Sequence, residues 1–139
     1  MVFVSNKDGS PKIYLLDIPT AGQLLKDVKP ILITKRCREN SSPCWSPDGK
    51  KIAYSAKTGG ARQIWVYDLD TKTERELTMG KADKENPSWA SNSLHIVFNG
   101  REGEGANLFV INLNQRRAQQ ITFGPGIQQF PSFEPNLNY

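Results

Sequence analysis

Shifted by 44 residues, the chain lies on itself, and no other feature restricts its fold so strongly. Pro43-Cys44-Trp45 falls on Pro87-Ser88-Trp89 and again on Pro131-Ser132-Phe133. Ile33-Thr34 falls on Leu77-Thr78 and on Ile121-Thr122. Ile52-Ala53-Tyr54-Ser55 matches Ile96-Val97-Phe98-Asn99, and Ile64-Trp65-Val66-Tyr67-Asp68-Leu69 matches Leu108-Phe109-Val110-Ile111-Asn112-Leu113. Val2-Phe3-Val4-Ser5 and Ile13-Tyr14-Leu15-Leu16-Asp17-Ile18 fit the same template, with a longer loop over 19–29 stretching the spacing.

Each unit reads as four strands, A to D. Strand A covers 42–45, 86–89 and 129–133; B covers 2–5, 51–55 and 95–99; C covers 12–17, 63–68 and 107–112; D covers 30–34, 73–78 and 118–122. Between A and B, Ser46-Pro47-Asp48-Gly49 has the chemistry of a tight turn. Pro47 presets its φ, Asp48 accepts from nearby amides, and Gly49 takes a positive φ at no steric cost. Strands B and C are apolar on both faces, with Ile64 and Val66 pointing one way and Trp65 and Tyr67 the other. Both faces must therefore be covered. Strand D, with Thr73-Glu74-Arg75-Glu76, suits a wet outer rim. Helical periodicity is absent. A repeat of this length built from four strands points to an all-β chain of propeller blades.

The order along the chain is B-C-D, A-B-C-D, A-B-C-D, A. Blade 1 is then 1–34 plus a clasp strand at 129–133, blade 2 is 42–78, and blade 3 is 86–122. Closed propellers typically take four to eight blades, so this partial propeller domain over 1–139 reads as half a ring from a longer protein. A half ring exposes two blade faces and one unpaired strand. Two copies related by a two-fold axis can close such a ring by exchanging 129–133, a homodimer to be set against an open monomer or nonspecific aggregation.

Little in the composition points to reactive chemistry. The net charge is +4, and the densest basic run, Lys35-Arg36-Cys37-Arg38, is not interleaved with aromatics. Solvated loop charge is expected there rather than a nucleic-acid groove. No apolar run is long enough to cross a bilayer, so direct membrane insertion is not expected, and the first residues lack the layout of a secretion signal. Two cysteines, Cys37 and Cys44, with a single distant histidine, His95, make a poor metal site. Free thiols are favoured, although a short-loop disulfide stays open. No Gly-x-Ser-x-Gly elbow occurs, and His95 aligns with Lys51 at the exposed start of a strand, so neither a catalytic set nor a cofactor is expected. Asp68-x-Asp70-x-x-x-Glu74 lacks the glycine and ligand spacing of a calcium loop and reads as the C–D turn. Asn40-Ser41-Ser42 is formally a glycan acceptor.

The run Pro43-x-Trp45-Ser46-Pro47-Asp48-Gly49-Lys50-x-Ile52-Ala53-Tyr54, followed by Ile64-Trp65-Val66-Tyr67-Asp68 and Leu77-Thr78, resembles the propeller repeat of the TolB family. Tricorn protease and prolyl-oligopeptidase-like peptidases share that repeat. The ending Phe130-Pro131-Ser132-Phe133-Glu134-Pro135 is similar to the way TolB chains finish, and Ala90-Ser91-Asn92 to the degraded turn of their penultimate blade. The resemblance covers essentially the whole chain and implies the last three of six blades. It also implies a periplasmic, non-catalytic adaptor of the Tol–Pal envelope system. Such an adaptor binds the peptidoglycan-associated lipoprotein Pal over one propeller face and serves outer-membrane integrity and cell division. Other Tol proteins would be met through segments that this chain does not contain. The alternative is the gating propeller of a peptidase. Two departures matter: Ser93 stands at the family's turn glycine, at a cost of about 1 kcal/mol if its φ is positive, and Leu137 stands there in the last unit.

If the blades are arranged as in other propellers, the D–A loops (35–41, 79–85 and 123–128) emerge with the B–C loops on one face. Arg36, Arg38, Glu39, Lys81, Asp83, Lys84 and Glu85 are the candidate partner contacts there, with Phe123 and Ile127 as apolar anchors. Trp45, Trp89 and Phe133 recur at one register and are expected in the core.

Overall fold

The structure is a computed structural model and describes residues 1–21 and 28–134. Part of the 19–29 loop, and the end of the chain with Leu137, lie outside the described residues. Eleven strands and no helix form among the rest: β1 Val2–Ser5, β2 Lys12–Leu15, β3 Ile31–Leu32, β4 Arg38–Trp45, β5 Lys51–Thr58, β6 Ala61–Asp68, β7 Thr73–Glu76, β8 Lys84–Trp89, β9 His95–Glu102, β10 Gly105–Asn112 and β11 Gln119–Gln120. They make three antiparallel meanders, β1-β2-β3, β4-β5-β6-β7 and β8-β9-β10-β11. The all-β reading holds, and so do the three blades.

The doubly apolar strands explain the stacking. Ile64 and Val66 of β6 sit in one core cluster with Trp89, Ile96, Phe98 and Ile111, between the second and third sheets. Trp65 and Tyr67 sit in another with Ile13, Ile33, Ile52 and Tyr54, between the first and second. Burying a side chain of this size contributes roughly 1.5–3 kcal/mol, so one strand with two covered faces ties three sheets together.

Local chemistry repeats as faithfully as the core. The Ile/Leu-Thr pair after each D strand serves one purpose: the hydroxyls of Thr34, Thr78 and Thr122 accept from the amides of Ile13, Ile64 and Leu108 at 2.9, 2.9 and 2.8 Å. That side-chain bond takes the place of a ladder bond, so the D strands end before the threonine, β3 and β11 after two residues and β7 after four. The A–B turn forms as its residues require, with Gly49 at φ 70° and the Asp48 carboxylate accepting from the Lys50 amide at 3.0 Å. Ser93 does adopt a positive φ, 55°, as the equivalent of Gly49, and its hydroxyl accepts from the Asp48 amide of the neighbouring turn at 3.1 Å. At the C–D turn, Asp68 accepts from the amides of Asp70 and Thr71, each at 3.0 Å, and meets Lys51 at 3.1 Å.

Strand A departs from expectation in three ways. Its copies in blades 2 and 3 begin earlier, at Arg38 and Lys84. Each is bulged, at Ser42 (φ 51°) and Asn86 (φ 55°), between ladder pairs that repeat: Ser41↔Ser55 with Cys44↔Ala53, and Glu85↔Asn99 with Ser88↔Val97. Pro43 and Pro87 follow the bulge residue, where the ladder is interrupted and a missing N–H costs nothing. The third difference is that 129–133 forms no strand: among the described residues the first sheet has three strands and none lies beside β1 in the strand-A position.

The core assignment of the three aromatics is corrected accordingly. Trp89 is 6% exposed and its indole N–H donates to the Cys44 carbonyl, at 3.2 Å, on the preceding blade's strand A. Trp45 and Phe133 are each 38% exposed. For Trp45 the reason is that among the described residues no strand A lies in the preceding blade to receive its indole. Cys37 and Cys44 are free thiols, and burial pushes the Cys44 thiol up to about 12. Asn40 is fully buried, its amide donating to the carbonyls of Pro11 (3.1 Å) and Cys37 (3.0 Å), so a glycan there is incompatible with the fold.

Two of these contacts set measurable stabilities. Thr78→Val leaves the buried Ile64 N–H without its acceptor and should cost about 1–3 kcal/mol in urea unfolding, whereas Thr78→Ser should retain most of it. Asp68→Asn should cost under about 1 kcal/mol at neutral pH, since an asparagine side chain caps the same turn in blade 3, where Asn112 accepts from Asn114 at 2.9 Å. The Thr71 amide and then Lys51 hold the Asp68 carboxyl down at about 2, below its ordinary 3.8. A depressed carboxyl stabilises the fold above its unfolded pKa and loses that contribution as pH falls through the folded one. The gap between native protein and Asp68→Asn should therefore close between pH 3.8 and about 2.

Candidate functional site

Antiparallel meanders send alternate connections to opposite ends. The B–C hairpins and D–A loops share one end, and hydrogen bonds join them blade by blade. Lys12 Nζ donates to the Cys37 carbonyl at 2.6 Å, the Arg62 amide to the Asp83 carboxylate at 2.8 Å, and the Gln128 amide to the Ala106 carbonyl at 2.8 Å. The loop face anticipated from the repeat is thus formed, and each D–A loop is braced by the hairpin of its own blade.

The nine candidate contacts divide into two groups on that face. Arg36 is exposed but held: its guanidinium lies 5.5 Å from the Trp65 ring centroid and donates to the Glu74 carbonyl at 3.3 Å. Glu39 and Glu85 lie in strands rather than loops, and both pair with Arg62, at 3.4 and 3.3 Å. Glu39 also meets Lys57 at 3.3 Å. Asp83 is half-buried, accepting from Arg62 through its carboxylate and from the Arg101 amide through its carbonyl. Lys84, also in a strand, turns inward to Gln63 Oε1 (3.1 Å) and to the carbonyls of Met79 and Ala82, and burial pulls its pKa down. These five build the face.

The other four are displayed. Arg38 and Lys81 are exposed, with no side-chain hydrogen bond or ion pair among the described residues. Phe123 and Ile127 are 77% and 63% exposed on a loop whose backbone is pinned by an Ala106 N–H to Gly126 carbonyl bond of 3.2 Å.

Two residues were missed by sequence reasoning. Met79 is 73% exposed at the position one period before Phe123, and the repeat itself could have found it. Arg62 could not have been found that way, because Ala106 stands at the same place in blade 3. It is the hub of the face: besides two carboxylates it donates to the Glu39 carbonyl at 2.8 Å and to Ser41 Oγ at 3.3 Å. His95, in contrast, lies on the A–B turn side with ring nitrogens 2.9 Å from Asn92 Nδ2 and 3.2 Å from Asn112 Nδ2. Among the described residues no group of three or more metal-binding side chains is assembled.

Wedged antiparallel sheets, with their loops braced at one end, define a segment of β-propeller that presents a loop face. The chain belongs to the TolB beta propeller domain family, whose model matches residues 1–137. It is 56% identical over 73 residues to the "Protein TolB homolog" of Protochlamydia amoebophila (strain UWE25), covering 52% of this chain and 16% of that one. It is 37% identical over 81 residues to the "Tol-Pal system protein TolB" of Hahella chejuensis (strain KCTC 2396), covering 55% and 17%. These matches take in only about a sixth of each relative's length. In fold, it superposes on TolB from Acinetobacter baumannii with a TM-score of 0.75 at 23% identity, covering 94% of this chain and 31% of that chain.

Arg62→Ala should cost about 1–2 kcal/mol in chemical unfolding, since charge-assisted bonds to two strands are lost together. Arg62→Lys should recover less than half, because one ammonium cannot span both carboxylates.

Proposed function

We propose that this chain is part of a non-catalytic periplasmic adaptor of a Tol–Pal-type system, and that its loop face grips a peptidoglycan-associated lipoprotein. On this reading it supports outer-membrane integrity and cell division, and contacts with other Tol proteins fall to segments outside this chain. The observation that carries the reading is the set of exposed apolar side chains on one braced loop face, Met79 (73%), Phe123 (77%) and Ile127 (63%). Large apolar groups held out on rigid loops are typical anchors for a protein partner. The "Tol-Pal system" name of relatives such as that of Hahella chejuensis suggests the kind of partner. Arg38 and Lys81 add positive charge at the rim, which suits steering an acidic surface more than it raises affinity.

The test is calorimetric binding of the full-length protein containing this chain to the soluble domain of the lipoprotein from the same organism. Phe123→Ala and Met79→Ala should each weaken binding about fivefold or more, as truncated anchors do. Asp70→Ala, at the opposite end of blade 2, should leave affinity unchanged. A folded full-length protein with no measurable affinity for the lipoprotein would defeat the adaptor reading and favour a peptidase's gating propeller.

A further inference from the structure

The two blade junctions have the same crevice at their outer edge, but a carboxylate of the chain reaches into only one of them. Between the first and second sheets, in a crevice of about 280 Å³, that carboxylate belongs to Glu74 of β7. Its Oε2 accepts from the amides of Lys35 and Arg36, at 3.1 and 3.2 Å, where the D–A loop of blade 1 begins. Its Oε1 accepts from the Tyr54 hydroxyl at 2.9 Å. The Arg36 guanidinium also donates to the Glu74 carbonyl at 3.3 Å. One half-buried glutamate thus ties the edge of a blade to the loop of the blade before it.

One period on, the crevice between the second and third sheets, about 290 Å³, is built at the same positions from different groups. Met79, Ile111, Arg116 and Ala118 line it where Lys35, Tyr67, Lys72 and Glu74 line the first. Ala118 removes the carboxylate, Phe98 replaces Tyr54 and Gly80 replaces Arg36, so the hydroxyl and the nearby guanidinium are lost with it. The two amides remain. Among the described residues no acceptor meets the N–H of Met79 or of Gly80, and the φ of 128° at Gly80 turns only the chain beyond its N–H. Positive charge is in excess, because Lys84, Arg116 and Arg117 line the crevice and, among the described residues, no acidic side chain does. Arg116 and Arg117 are exposed and make no side-chain hydrogen bond or ion pair there. Phe109 and Ile111 supply an apolar wall. We propose that this crevice binds a glutamyl side chain of a partner protein, which takes the place that Glu74 holds one blade earlier. Successive backbone N–H groups backed by guanidiniums suit a carboxylate, and the apolar wall suits the methylene arm that carries it. The chain's own precedent is a glutamate presented by an extended strand, so an acidic peptide segment is the matching ligand. The proposal does not rest on the lipoprotein reading.

The test is an NMR titration of the isotope-labelled protein containing this chain with a blocked peptide that carries one glutamate between two leucines. The amide signals of Met79 and Gly80 should shift saturably, and the same peptide with glutamine should leave them unmoved. Arg116→Gln combined with Arg117→Gln should weaken binding about tenfold, as the loss of charge-assisted bonds does. Both side chains are exposed, so this variant should keep its fold. Ala118→Glu should fill the crevice from within: the two amide signals should lie near their peptide-bound positions before any peptide is added, and binding should vanish. An equal response to the glutamine peptide, no saturable shift, undiminished binding by either variant, or free glutamate binding as tightly as the peptide would each overturn the proposal.

Discussion

Every other feature of this molecule depends on strand C of the central blade having two buried faces. Trp65 and Tyr67 of β6 fill the space against the first sheet while Ile64 and Val66 fill the space against the third. A sheet covered on one side only would place half of these residues in water, and at roughly 25 cal/mol per Å² such exposure is prohibitive for a chain this short. The sheets must stack, and because strands twist they stack as a fan and not as a flat pile. The loop face exists because the fan gathers alternate connections at one end.

Polar groups then decide how regular the stack is. The threonine hydroxyls replace a ladder bond at the outer edge of every blade with geometry constant to a tenth of an ångström, 2.8 to 2.9 Å. At the inner edge, the bulge ahead of Pro43 and Pro87 absorbs the residue that cannot donate. Phe130, ahead of Pro131, has the same left-handed φ, 56°, as Ser42 and Asn86 ahead of their prolines, although it lies outside every described sheet.

The blades, their order, the turn chemistry and the split of apolar faces were all legible in the sequence, because each is local and each recurs. What escaped was not local. Trp45 shares its register with Trp89, yet among the described residues no strand A precedes it, and register alone does not report which neighbours a side chain has. Glu39, Asp83, Lys84 and Glu85 read as free loop charge, but the B–C hairpin brings Arg62 and Gln63 against them. Arg62 occurs once, with Ala106 at its counterpart, so periodicity carries no signal for it.

That network bears on how the face can work. Rigid presentation requires that most charges be engaged within the molecule, and the half-buried Arg62 at the junction of β4, β6 and β8 meets this need by tying two strands to one hairpin. Charges so engaged have little left to offer a partner, since breaking them to make equivalent contacts gains almost nothing. Met79 and Phe123 have no such prior commitments. They stand one period apart at the start of successive D–A loops, on backbones already fixed, so covering them releases water without a large ordering cost. If the face takes a partner as proposed, specificity for its shape falls to the apolar side chains, and the charged network around β4, β6 and β8 keeps the 79–85 loop in place.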